Sequence, residues 1–233
     1  MMHIKRLQEN QKKLQQKNSD FYTSSGLHVF FKEPVINDEV DVEKVIATVE
    51  SRIPRHLYSE IEMIIVGWFE EFEERSINAF YDSGTIYLSN VQDNNADMVD
   101  DIVHEIAHAL EAAHGYFIYA DNKIRDEFLS KRRLLHDLLW SKGIKAPLSF
   151  FMNPEYDQEF DMFLYEKVGY DKLSIMLQGV FITPYAATSL QEYFATGFEE
   201  FHMNSEHNFF KKVSPSLYEK VYKLQNADEL DMY

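Results

Sequence analysis

His104 and His108 are separated by three residues, and Glu105 directly follows the first of them. On an α-helix, residues four apart lie one turn above each other on the same face, so both imidazoles can aim a ring nitrogen at a single ion. Glu105 is turned about 100° from His104, off the metal yet within reach of a water held by it, which is where a general base is needed. His104-Glu105-Ile106-Ala107-His108 therefore reads as most of a hydrolytic zinc site. Zinc lowers the pKa of a bound water towards neutrality, and Glu105 is placed to accept its proton as the water attacks a carbonyl.

A catalytic zinc takes three protein ligands and leaves one position open. The chain has no cysteine, so the third ligand must be another histidine or a carboxylate. His114 follows His108 by six residues with no intervening glycine, and the missing glycine breaks the long three-histidine pattern. A distal glutamate is the better source, and the richest stretch runs from Tyr185 to His202. Within it Ser189-Leu190-Gln191-Glu192 is also a capping box, in which Glu192 would reach back to the Ser189 amide. Spacing alone leaves the capping and ligand roles of Glu192 equal, with Glu199 a lesser ligand candidate. Glu200 and His202 are candidates for orienting ligands from behind.

The elements that must hold these residues can be read from periodicity and stop signals. Residues 3–19 form a polar helical pattern with too few apolar positions to bury a face, so 1–20 is expected to be an extension outside the folded part. Gly26–Val35 is strand-like, with Pro34 marking an edge or an end. Asp41–Ile53 reads as a helix stopped by Pro54, and Met63–Gly67 as a short apolar strand. The acidic stretch Glu70–Arg75 reads as solvated surface. Ala79–Tyr81 and Thr85–Leu88 flank Asp82-Ser83-Gly84, a hairpin with glycine in the left-handed position. Asp93–Asp97 supplies caps and first-turn acids for a helix from Asp97 to His114, ended by Gly115. From 116 to 180 the pattern is mainly helical, with Phe128, Leu134, Leu135, Leu138, Leu139, Phe160, Met162, Phe163, Leu164 and Leu173 as core candidates. Helices are again expected at Ser189–Met203 and Pro215–Gln225. The expected class is α+β and mainly helical: a small N-terminal sheet, an active-site helix and a helical C-terminal part.

Composition bounds the partners. A formal charge of −16 disfavours nucleic acid. The one basic cluster, Lys131-Arg132-Arg133 within 123–145, reads as the solvated face of an amphipathic helix. The absence of cysteine excludes disulfides and thiolate zinc sites. The start has no apolar stretch like that of a signal peptide, and no segment is long and apolar enough for a membrane span. The expectation is a chain made in the cytoplasm, with any release by a non-classical route.

Taken together, Val103–Ala109 and the stretch from Tyr185 to Phe198 resemble the catalytic domain of anthrax toxin lethal factor and the similar Pro-Pro endopeptidases. In that family a tyrosine precedes the glutamate ligand by seven residues, and the glutamate opens a Glu-Phe-Phe-Ala-like helix. Tyr185 and Glu192 have that spacing, and Glu192-Tyr193-Phe194-Ala195 has that character. The resemblance implies a zincin-like domain over 21–233, Glu192 as third zinc ligand, and Tyr185 as donor to the developing oxyanion. It also implies a protein or peptide substrate, added as an extended strand along the hairpin at Phe80–Leu88. The chain departs from the family in a larger helical insertion at about 116–180. The reading is a zinc metalloendopeptidase that hydrolyses a peptide bond. The alternative is a catalytically silent zinc-containing structural or effector protein.

Overall fold

The computed structural model describes residues 20–75 and 77–230, so the helical extension expected over 3–19 lies outside the described residues. The described chain is α+β, with helix predominating over one mixed five-stranded sheet. It divides into two compact units, Met1–Ala109 and Leu110–Tyr233. No described helix is long and apolar enough to cross a membrane.

The first unit contains β1 (Phe21–Tyr22), β2 (His28–Phe31), α1 (Val42–Arg52), β3 (Met63–Gly67), α2 (Glu70–Arg75), β4 (Ala79–Asp82), β5 (Thr85–Ser89) and the first part of α3 (Asn95–Tyr119). Strand order is β1-β2-β3-β5-β4, antiparallel at both outer pairs and parallel in between. Because side chains alternate along a strand, the register that aligns Val29, Ile64 and Ile86 puts these three buried residues on one face. Ile46 and Val49 of α1 and Ile102 and Ile106 of α3 meet Ile64 and Ile86 around a small apolar void. In the aromatic cluster that Phe80 and Tyr87 build across β4 and β5, the two rings stack at 4.6 Å, with Phe69 edge-on to both and Phe72 edge-on to Phe80.

Local signals account for much of this unit. Asp41 caps α1 by accepting from the Lys44 amide at 3.2 Å. The β4–β5 turn takes positive φ at both Ser83 (47°) and Gly84 (84°), the two-residue pattern that matches the twist of a hairpin. Asn94 accepts from the amides of Ala96 (2.8 Å) and Asp97 (3.1 Å), so the Asp and Asn cluster before α3 serves as its cap. Glu70–Arg75 is a short helix, exposed except for Phe72.

The second unit holds the remainder of α3, then α4 (Lys123–Ser141), α5 (Leu148–Phe151), α6 (Gln158–Met162), a π-helical turn at Phe163–Val168, α7 (Tyr170–Met176), a 3-10 turn at Tyr185–Ala187, α8 (Leu190–Met203), α9 (Asn208–Val213), α10 (Pro215–Leu224) and α11 (Ala227–Leu230). Its core is strongly aromatic: Phe128, Phe151, Phe160, Phe181, Tyr193 and Phe198 are all fully buried.

Helix α3 breaks at His114 (φ −123°, ψ 20°), within one residue of the stop expected at Gly115, and a second helical stretch runs on to Tyr119. Ile118 of that stretch is buried, and the Tyr119 hydroxyl donates to Glu111 at 2.6 Å. One expectation is corrected. The basic cluster is not a solvated face: Arg133 is exposed, but Arg132 is 1% exposed. Three consecutive residues sweep roughly 200° of a helix, so they cannot all share its outer face. Burial also pushes the Lys131 ammonium down to about 8, against the Glu127 charge, while Nζ donates to Ser214 at 2.6 Å. For the same angular reason Leu134 and Met162 are solvent-exposed instead of core, beside the buried Leu135 and Leu164.

Candidate metal centre

Helix α3 carries Val99, Ile102, Val103 and Ile106 into the core, which leaves His104 and His108 half-buried on another face, one turn apart. Their Nε2 atoms approach to 3.2 Å, and the rings are inclined by 76°. Two imidazoles on one tetrahedral zinc, each bonded at about 2.0–2.1 Å, bring their nitrogens to roughly 3.4 Å of each other. The pair therefore already has the spacing of two ligands on one ion. Glu105, between them in sequence, is 7% exposed.

Asp101 lies one turn before His104 on the same side of the helix, a residue that the pentad does not include. Its carboxylate accepts from the Gln92 amide at 3.2 Å. Burial raises it to about 6, with Glu105 adding to the rise and Gln92 and His104 opposing it. The i, i+3 spacing to His104 was the available signal for it.

Glu192 sits in the first turn of α8. Ser189 caps that helix by accepting from the Glu192 amide at 3.1 Å, so the serine half of the capping box is formed. The same short segment carries Tyr185, in the 3-10 turn just before the cap. Tyr185 as a whole is 39% exposed, but loss of water around its hydroxyl first, and the Glu192 charge next, raise the phenol well above its ordinary range, so it stays a hydrogen-bond donor. Tyr170 is raised in the same way, by burial, by Asp161 and by Glu192. Asp161 accepts from both Tyr170 and Tyr156 at 3.2 Å. This cluster of Tyr156 and Tyr170 on Asp161 had no sequence signal, because the three residues belong to separate turns.

Among the described residues, the group His104, His108 and Glu192 has the ligand atoms to hold a metal ion, one from each residue. Glu199, Glu200 and His202 are not in this group. Glu200 accepts from Asn204 at 2.8 Å, and His202 faces the Phe198 carbonyl and Gln225.

In comparisons with protein families, curated proteins and solved structures, nothing matches this chain.

Proposed function

We propose that the chain is a zinc-dependent endopeptidase of the zincin type, with His104, His108 and Glu192 as metal ligands, Glu105 as general base and Tyr185 as oxyanion donor. The supporting observation is the pair of imidazoles whose Nε2 atoms lie 3.2 Å apart on one helix, with the buried Glu105 between them in sequence. Two imidazoles and one carboxylate, without thiolate, suit zinc and leave a coordination position open. A bound zinc ion supplies Lewis acidity, polarising the scissile carbonyl and bringing a water into nucleophilic form near neutral pH.

The protein groups then move the protons. Glu105 accepts one from the water as its oxygen bonds to the carbonyl carbon, and passes it to the departing amine as the C–N bond breaks. The protonated Tyr185 hydroxyl donates to the carbonyl oxygen as negative charge gathers there. Strand β4, with β5 on one side and no strand on the other among the described residues, offers an edge to which an extended peptide can add.

The test is metal content per chain by elemental mass spectrometry, together with cleavage of a broad peptide library. The native chain should carry one zinc and cleave, Glu192→Ala should retain zinc weakly, and Glu105→Gln should retain zinc without cleaving. Absence of zinc from metal-replete native protein sinks the proposal. Full zinc with no cleavage by the native chain favours a silent zinc-containing structural protein, and equal retention in Glu192→Ala moves the third ligand elsewhere.

A further inference from the structure

Arg132 is a buried cation that the proposed reaction does not use. It lies in the middle of α4, and its guanidinium is held by main-chain carbonyls at two places in the second unit. Nε donates to Phe151 O at 3.0 Å and Nη2 to Phe150 O and Asn153 O at 3.3 and 3.4 Å. Nη1 donates to Ala187 O at 2.7 Å and Thr188 O at 3.1 Å. A guanidinium has five N–H donors in a fixed fork, and every nitrogen is engaged here. Its plane lies over the Phe160 ring, 3.6 Å from the centroid, with Phe128 at 5.4 Å. Burying such a charge is costly unless it is fully hydrogen-bonded. Since its donors go to carbonyl oxygens, what Arg132 reads is the path of the backbone.

The second of the two places is the stretch between Tyr185 and Glu192. Thr188 returns both its amide (2.9 Å) and its hydroxyl (2.8 Å) to the Tyr185 carbonyl. The next residue, Ser189, caps α8 on the Glu192 amide. Leu190 N donates to Pro154 O at 2.7 Å, which joins the two clamped stretches a second time. Ala187 and Thr188 are buried, and the Ala186 amide of the same turn donates to the Thr183 hydroxyl at 3.3 Å.

We infer that Arg132 is a positioning residue: by holding the Ala187 and Thr188 carbonyls it fixes the turn from which the Tyr185 hydroxyl and the Glu192 carboxylate are presented. The inference rests on the metal-site reading for its functional meaning, but its geometric content, a turn held by one guanidinium, can be tested without it. Lysine at this position keeps the charge but has three donors on one atom and cannot span two stretches of backbone.

The experiment uses the full chain as native protein, Arg132→Lys, Arg132→Met and the exposed-site control Arg133→Met. Zinc affinity is measured by chelator competition, and amide hydrogen exchange is followed by peptide. Arg132→Lys is expected to lose zinc affinity about tenfold, the lower end for groups that support ligands from behind. Exchange should accelerate across 185–192 and 150–153 while staying native in 95–109, and Arg133→Met should match the native chain. Native affinity and native exchange in Arg132→Lys overturn the inference, and so does acceleration spread evenly over all peptides, which marks a role in global stability alone. If neither Arg132 variant folds, the native chain decides: 187–192 must exchange as slowly as the middle of α4, and fast exchange there overturns the inference. A native chain that binds no zinc but shows the localised exchange pattern removes the metal reading and leaves the clamp standing.

Discussion

His104 and His108 stand on consecutive turns of a regular helix, whereas Tyr185 and Glu192 are carried by a 3-10 turn and the first turn of another helix, with a cap residue between. In the first region the spacing of two side chains follows from 3.6 residues per turn, and their Nε2 atoms reach 3.2 Å of each other. In the second, Arg132 meets the backbone at Ala187, 55 residues away in sequence. Secondary structure sets the geometry of the histidine pair, and tertiary contacts set that of the turn that carries Tyr185 and Glu192. The first should therefore fail only when a ligand is removed, and the second also when its distant supports are changed.

The largest effect tests the helical half. His108→Ala should weaken zinc binding by on the order of a hundredfold or more, since loss of a direct ligand exceeds the tenfold to hundredfold cost of losing a supporting group. Alanine is the best helix former, so circular dichroism should stay native. Loss of helix together with the metal would show that the histidine pair holds the helix instead of the reverse, and would break the contrast between the two regions.

That contrast also explains what could be read from the sequence. The pentad at 104–108, the hairpin with Gly84, the Asp41 cap and the Ser189 cap all express rules acting within five residues, and each is present in the fold. Arg132 was hidden because its partners are carbonyl oxygens, which no side-chain pattern reveals, and because two other basic residues flank it. Asp101 was legible in principle, since its spacing to His104 repeats that of a helix face.

A change far from the ligands sharpens the second half of the contrast. Gly197 lies on α8, and a Cβ built there would meet Leu217 of α10 at 2.3 Å from Cδ2 and 2.7 Å from Cγ. Leu217 is fully buried and has little room to retreat. Alanine is favoured over glycine in a helix by about 1 kcal/mol, but overpacking costs about 1–3 kcal/mol. Gly197→Ala should therefore be destabilising by about 1 kcal/mol net, read as a lower midpoint in thermal or urea unfolding. A raised midpoint would mean that α8 and α10 have slack, and that Glu192 is less dependent on its distant packing than this comparison holds.

The smallest expected effect isolates the one local rule in the second region. Ser189 is 1% exposed, and its hydroxyl accepts from the Glu192 amide at 3.1 Å. Ser189→Ala leaves that amide without the cap, at a cost of about 1 kcal/mol, and threonine, also a good capping residue, should restore most of it. Because the amide belongs to the proposed ligand itself, the alanine variant should also bind zinc more weakly, by a smaller factor than Arg132→Lys. The ranking separates two descriptions of the turn. If the guanidinium fixes the backbone, a lost cap only frays the first turn of α8, and chelator competition places Ser189→Ala between native and Arg132→Lys. A deficit in Ser189→Ala larger than in Arg132→Lys would make the cap the main determinant and reduce the distant clamp to a secondary support.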